Sequence, residues 1–201
     1  MSPVQDVFLS SSVDKTVRLW DLQSSRCEAT MQVPCEGIPV ASFDPDGIIF
    51  AVGYNSSIIK LYDMSSFSKG PFQTFDVPKI EPVNDWTDLK FSPDGRKILL
   101  STVDGHVIVV DAFKGDVMFN LNTQESGSQA CFCSNGKFIF SGANNSSVGV
   151  WSADYGTLIT RLKMPNRKKV HGVTFNPRSL MLAASCENEL NILLHSDLIY
   201  R

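Results

Sequence analysis

Short runs of β-branched, aromatic and other apolar residues recur along the chain, each ended by Gly, Asn, Asp or Ser. That punctuation predicts strands rather than helices. The expected strands are 4–9, 16–20 and, with weaker alternation, 27–33; then 39–43, 48–53, 58–62 and an outer strand following 66–75. A second half repeats the design at 87–91, 97–102, 106–110 and 117–121, at 129–133, 137–142, 147–151 and 157–162, and at 170–175, 180–185 and 190–194. Tight turns are expected at Asp14-Lys15 and Asn55-Ser56, and residues 77–85, rich in Pro, form a surface excursion.

Two landmarks run through these strands in one register. Hairpins end at Trp20-Asp21, Tyr62-Asp63, Val110-Asp111, Trp151-Ser152 and Leu194-His195, at steps of 42, 48, 41 and 43. The triplets starting at Met1, Phe43, Phe91, Phe132 and Phe175, mostly Phe-x-Pro, fall at the same steps, and three continue into Asp46-Gly47, Asp94-Gly95 or Asn135-Gly136. Gly and Asn tolerate the positive φ of tight hairpin turns. A period of about 40 to 45 residues closed by Trp-Asp resembles the WD40 repeat.

The resemblance implies an all-β WD40 β-propeller, here about five of seven blades, the first without its innermost strand. Repeats bury their faces against neighbours, so residues 1–201 are expected to form a single repeat domain. Asp14 and Asp104 lie six residues before their anchors, and Asn145 and Asn188 take that place in repeats four and five. In full WD40 repeats this Asp ties the turn to the Trp and to an upstream His, whose Gly-His pair is missing here. A ring of about seven repeats of roughly 42 residues needs about 290, so the chain reads as N-terminally truncated.

Composition narrows the function more by exclusion than by assignment. Of 201 residues 43% are apolar, enough for a core, and no apolar run reaches membrane-span length. Eighteen Lys and Arg against 21 Asp and Glu give a net charge of −3, which makes no global case for direct nucleic-acid or membrane binding. The five cysteines are odd in number, and Cys131, Cys133 and Cys186 sit in apolar strand patterns, as reduced core thiols do.

Candidate chemistry is sparse. Asp14, Asp21, Asp63, Asp104 and Asp111 recur with the repeat, as turn residues do, whereas an active site requires convergence. His106, His171 and His195 lack metal-ligand spacing, and Cys131-x-Cys133 has no second ligand pair. No phosphate loop or nucleophile motif is present. We therefore expect no catalysis, no cofactor and no metal. Arg161, Lys163, Arg167, Lys168 and Lys169 form a basic stretch without an intervening acid. It reads either as a solvated loop or as an edge that recognises phosphorylated peptide.

The stretches 42–51, 60–63, Ser66-Phe67-Ser68-Lys69-Gly70-Pro71-Phe72 with Thr74-Phe75, 86–92 and Asp111-Ala112-Phe113-Lys114-Gly115 go beyond a general WD40 match. They resemble the WD repeat-containing protein 82 (Swd2-like) family, the WD40 subunit of COMPASS-type histone lysine methyltransferase complexes. The resemblance implies a nuclear, non-catalytic scaffold. It implies as partners a methyltransferase subunit, the phosphorylated tail of RNA polymerase II and a nuclear phosphatase complex, with chromatin reached indirectly. The alternatives are a truncated fragment without function or a general WD40 adaptor such as a ubiquitin-ligase substrate receptor. The receptor reading is weakened because Trp20-Asp21-Leu22-Gln23 lacks the Arg of the Trp-Asp-x-Arg dock.

Overall fold

A computed structural model describes residues 1–79, 85–124, 129–143, 146–165 and 168–194. Among them the chain forms eighteen strands and a single 3-10 turn, Phe67–Lys69. The first sheet holds β1 (Val7–Ser11), β2 (Thr16–Asp21) and β3 (Arg26–Gln32) in that order. The second holds β4 (Val40–Phe43), β5 (Ile49–Tyr54), β6 (Ile58–Asp63) and β7 (Gln73–Asp76), and the third β8 (Trp86–Phe91), β9 (Lys97–Thr102), β10 (His106–Asp111) and β11 (Val117–Asn122). The fourth is β12 (Ala130–Phe132), β13 (Phe138–Ala143), β14 (Ser147–Ser152) and β15 (Leu158–Lys163), and the fifth β16 (Val170–Phe175), β17 (Leu182–Cys186) and β18 (Glu189–Leu193). Each sheet follows chain order, the strand grammar of a WD40 blade, and the fold is of the all-β WD40 propeller class.

Position within a blade explains the hydrophobic pattern. The second strand of a blade is covered on both faces, so β5 (IFAVGY), β9 (KILLST) and β13 (FIFSGA) are buried almost throughout. The outer strands β3, β11 and β15 cover one face only and expose alternate or neighbouring residues. Two-sided burial gives a continuous apolar run, and one-sided burial gives alternation.

The chain divides into two compact units, Met1–Ile98 with Val110–Val117, and Leu99–Val109 with Met118–Arg201. In the first, Val17, Leu19, Val33 and Cys35 of blade one pack with Phe43, Phe50, Val52 and Tyr54 of blade two. Phe50 stacks on Tyr62 at 5.0 Å. In the second, Leu99, Val107 and Val109 meet Phe132, Ile139 and Trp151, while Phe140, Val148 and Val150 meet Val173, Leu182 and Ala184. Fully burying each such side chain stabilises by about 1.5–3 kcal/mol.

Two expected details are corrected. The first strand runs over Val7–Ser11 rather than 4–9, because residues 2–5 close a turn: Ser2 Oγ accepts from the Gln5 N–H at 3.2 Å and the Ser2 N–H donates to Val7 O at 2.9 Å. In the fifth repeat the anchor is Leu193, not Leu194. Leu193 pairs with Leu182 as Trp151 pairs with Ile139 and Trp20 with Phe8. The cause is a hairpin one residue shorter. Cys186 pairs with Glu189 across two turn residues, whereas Tyr54 pairs with Ile58 across three.

Candidate partner-binding surfaces

The recurrent aspartates turn inward onto their own turns. Asp21 accepts from the Gln23 and Ser24 N–H groups, Asp63 from the Ser65 N–H and hydroxyl, and Asp111 from the Phe113 and Lys114 N–H groups. Hydrogen bonding within the turns holds all three carboxyls below the usual carboxylate range: at Asp21 chiefly the Ser24 side chain and then the Gln23 N–H, at Asp63 the Ser65 hydroxyl, at Asp111 the Lys114 N–H. Asp14 and Asp104 serve the other hairpin end. Asp14 accepts from the Thr16 hydroxyl at 2.6 Å and pairs with Arg18 at 2.7 Å; Asp104 accepts from the Thr102 hydroxyl at 2.5 Å. His106 bonds Asn120 at 2.8 Å through Nδ1 and lies 3.6 Å from Asp104 through Nε2.

The indoles of the two anchor tryptophans take a partner other than these aspartates. Trp20 Nε1–H donates to Ser10 Oγ at 2.9 Å, and Trp151 Nε1–H donates to Ser141 Oγ at 3.0 Å. Where the anchor is Tyr62, Val110 or Leu193, the residue equivalent to that serine is Val52, Leu100 or Ala184. Serine thus accompanies tryptophan in the same repeats, a spacing of ten residues that is legible in the sequence.

A further structural position was missed in the sequence. The middle residue of each triplet, Met-Ser-Pro, Phe-x-Pro or Phe-Cys-Ser, caps the first hairpin of its blade. Asp44 accepts from the Ile49 N–H, Ser92 Oγ from the Lys97 N–H, Cys133 Sγ from the Phe138 N–H and Asn176 from the Arg178 N–H, joining Ser2 above. Ser, Asp, Ser, Cys and Asn share a hydrogen-bond acceptor and no other obvious likeness. Recognising them therefore required the register.

The basic stretch is split. Arg161 and Lys163 project from β15 on either side of buried Leu162, both exposed. Lys168 is engaged by Glu189 at 3.0 Å and by Glu187 at 3.9 Å, and the hydrogen bond to Glu189 raises its pKa. Lys169 is half-buried. Arg167, with Asn145 and His195, lies outside the described residues. Cys131, Cys133 and Cys186 are buried free thiols. Among the described residues no group of three or more His, Cys, Asp and Glu is placed to hold a metal, and no helix is long and apolar enough to cross a membrane.

A concavity lies between the second and third blades, inside the first compact unit. Leu61, Phe75 and Ala112 are buried around a cavity of about 200 Å³ whose mouth is framed by Phe72 and Phe113, respectively 57% and 73% exposed. Gly115 packs against the lining residue Phe75 with a φ of +78°, and a Cβ there would sit 2.5 Å from the Phe75 ring. Only glycine meets both conditions.

Comparison with known proteins fits this architecture. The WD domain, G-beta repeat model matches residues 1–21 and 120–152. The chain is 45% identical over 192 residues to WD repeat-containing protein 82 of Drosophila melanogaster, covering 94% of this chain and 60% of that protein. It is also 34% identical over 156 residues to the Set1 complex component swd2 of Schizosaccharomyces pombe, and 32% over 162 residues to the COMPASS component SWD2 of Saccharomyces cerevisiae. Those matches cover 72% and 76% of this chain, and 43% and 48% of the yeast proteins. The chain belongs to the WD repeat-containing protein 82 (Swd2-like) family. It spans 43% to 60% of the length of these relatives. Two of the stretches that resembled the family in sequence, Lys69–Phe72 and Asp111–Gly115, supply the two exposed phenylalanines of the groove.

Proposed function

We propose that the chain is a non-catalytic WD40 scaffold subunit of a nuclear histone lysine methyltransferase complex, and that it links the complex to the phosphorylated tail of RNA polymerase II. The observation that carries the reading is kinship with two yeast proteins named as components of the Set1 complex and of COMPASS. The site geometry agrees with it. The recurrent carboxylates are committed to turn N–H groups and hydroxyls, while aromatic and basic side chains stand exposed at the surface, which suits peptide recognition. For the polymerase tail the basic side chains are Arg161 and Lys163, exposed on the edge strand β15, with Lys168 and Lys169 nearby in sequence. Clustered Arg and Lys bind phosphate through charge-assisted hydrogen bonds.

Affinity purification of the tagged chain from nuclei tests the assignment. The expected catch is a histone methyltransferase subunit; recovery of cullin-type ligase components alone would transfer the chain to the substrate-receptor class. An R161E/K163E variant should bind phosphorylated polymerase-tail peptide at least tenfold more weakly, and unchanged binding would remove β15 from that role.

A further inference from the structure

We propose that the groove between the second and third blades is a docking site for an extended acidic peptide that inserts one aromatic or large aliphatic side chain between Phe72 and Phe113. The inference deepens the scaffold reading, on which it rests, by giving that scaffold a specific protein-recognition site.

Three observations converge on this occupant. The first is shape and chemistry. A cavity of about 200 Å³ lined by Leu61, Phe75, Phe91 and Ala112 accommodates one large apolar side chain, and two exposed phenylalanines at its mouth would be desolvated by such an anchor. An exposed phenylalanine pair over an apolar cavity has no structural need that the neighbouring turns leave unmet, because Asp111 and Gly115 already fix the turn that carries Phe113.

The second observation is the backbone beside the cavity. Gln73 and Phe75 of β7 line it, and among the described residues β7 is the edge strand of its sheet, paired with β6 alone. An edge strand presents alternate N–H and C=O groups outward, and an extended peptide that pairs with it delivers every second side chain to one face. That face carries the cavity, which is why the occupant is an extended segment rather than a helix.

The third is charge. Lys114 follows Phe113, Arg96 follows Gly95 at the lining, and Lys69 precedes Phe72 by three residues; all three are exposed. None of them makes an ion pair within 4 Å among the described residues. Two neighbouring acids are turned onto their own turns, Asp111 onto the Phe113 and Lys114 N–H groups and Asp94 onto the Ser92 hydroxyl and Arg96 N–H, whereas Asp116, two residues from Lys114, is exposed. Three exposed cations thus surround the mouth with no ion-pair partner within 4 Å among the described residues, and carboxylates on either side of the anchor would complement them.

An array of synthetic 12-residue peptides tests the proposal. Each peptide carries one central Phe, Leu or Ala flanked by Glu and Asp, by Lys and Arg, or by Ser and Gly, and is probed with the full 201-residue chain. The expected result is binding of the acidic Phe and Leu peptides, loss with central Ala, and at least tenfold weaker binding by F72A/F113A. A K69E/R96E/K114E variant should lose the preference for acidic flanks. Both sets of substitutions replace exposed side chains, and an unchanged thermal transition shows that the fold is intact. No binding by any peptide, preference for basic flanks, or binding that F72A/F113A leaves unaltered would overturn the proposal. Comparing the nuclear catch of wild type and F72A/F113A separates the two levels. If the wild type recovers no methyltransferase subunit, the scaffold assignment fails whatever the array shows. If both chains recover it equally and the array is blank, only the groove fails.

Discussion

Ser141 is fully buried and holds the indole N–H of Trp151, with Gly149 leaving the space the indole crosses: a Cβ there would lie 2.8 Å from Trp151 Nε1. Removing the hydroxyl in Ser141→Ala leaves a buried donor unpaired, which costs about 1–3 kcal/mol. The equivalent Ser10→Ala change, at a half-buried pair, should cost less. Urea unfolding of both variants checks the order, and an equal loss would mean that burial does not set the value of this contact. The turn aspartates make a pH prediction. The carboxyls of Asp21, Asp63 and Asp111 are depressed in the folded chain. Their contribution is therefore complete above the ordinary carboxylate range and is lost as the pH falls through that range to the lower folded values. The urea midpoint should change little between about pH 7 and pH 5 and fall below about pH 4. D21N/D63N/D111N should be less stable at pH 7 and lose less on acidification; an unchanged acid loss in that variant would place the effect elsewhere.

Strands and hairpins are the scale at which the sequence is most legible. Two-sided burial makes β5, β9 and β13 continuous apolar runs, and the 40-odd-residue step placed their counterparts within a residue or two. What the sequence did not disclose depended on local geometry rather than residue type. The shorter turn at Glu187-Asn188 moves the fifth anchor to Leu193, because a one-residue change in a hairpin inverts every facing. The capping position escaped notice because Ser2, Asp44, Ser92, Cys133 and Asn176 are alike only in accepting a hydrogen bond. The groove was visible only as separate sequence stretches, since nothing in Lys69–Phe72 announces that Phe113 will stand opposite. The anchor assignment can be tested directly: Leu193→Ala should destabilise by about 2 kcal/mol as a core truncation, and Leu194→Ala, at an exposed position, by no more than about 0.5 kcal/mol. The reverse order in thermal or urea unfolding would restore Leu194 to the anchor.

At the scale of the whole molecule, the fold builds five similar sheets and reserves its differences for the surface. Buried positions repeat, because each blade must cover the next. Exposed ones do not: Phe72 and Phe113 frame a cavity in one unit, and Arg161 and Lys163 stand on an outer strand in the other. A scaffold subunit requires this combination of a periodic core with aperiodic docking positions. The most direct measurement mixes the purified chain with a purified histone methyltransferase subunit of the Set1 type and follows the mixture by size-exclusion chromatography with light scattering. The account predicts a co-eluting complex whose mass is the sum of its parts, with methyl transfer to histone by the methyltransferase and none by the chain alone. Separate elution at micromolar concentration, or methyl transfer by the chain alone, would contradict it.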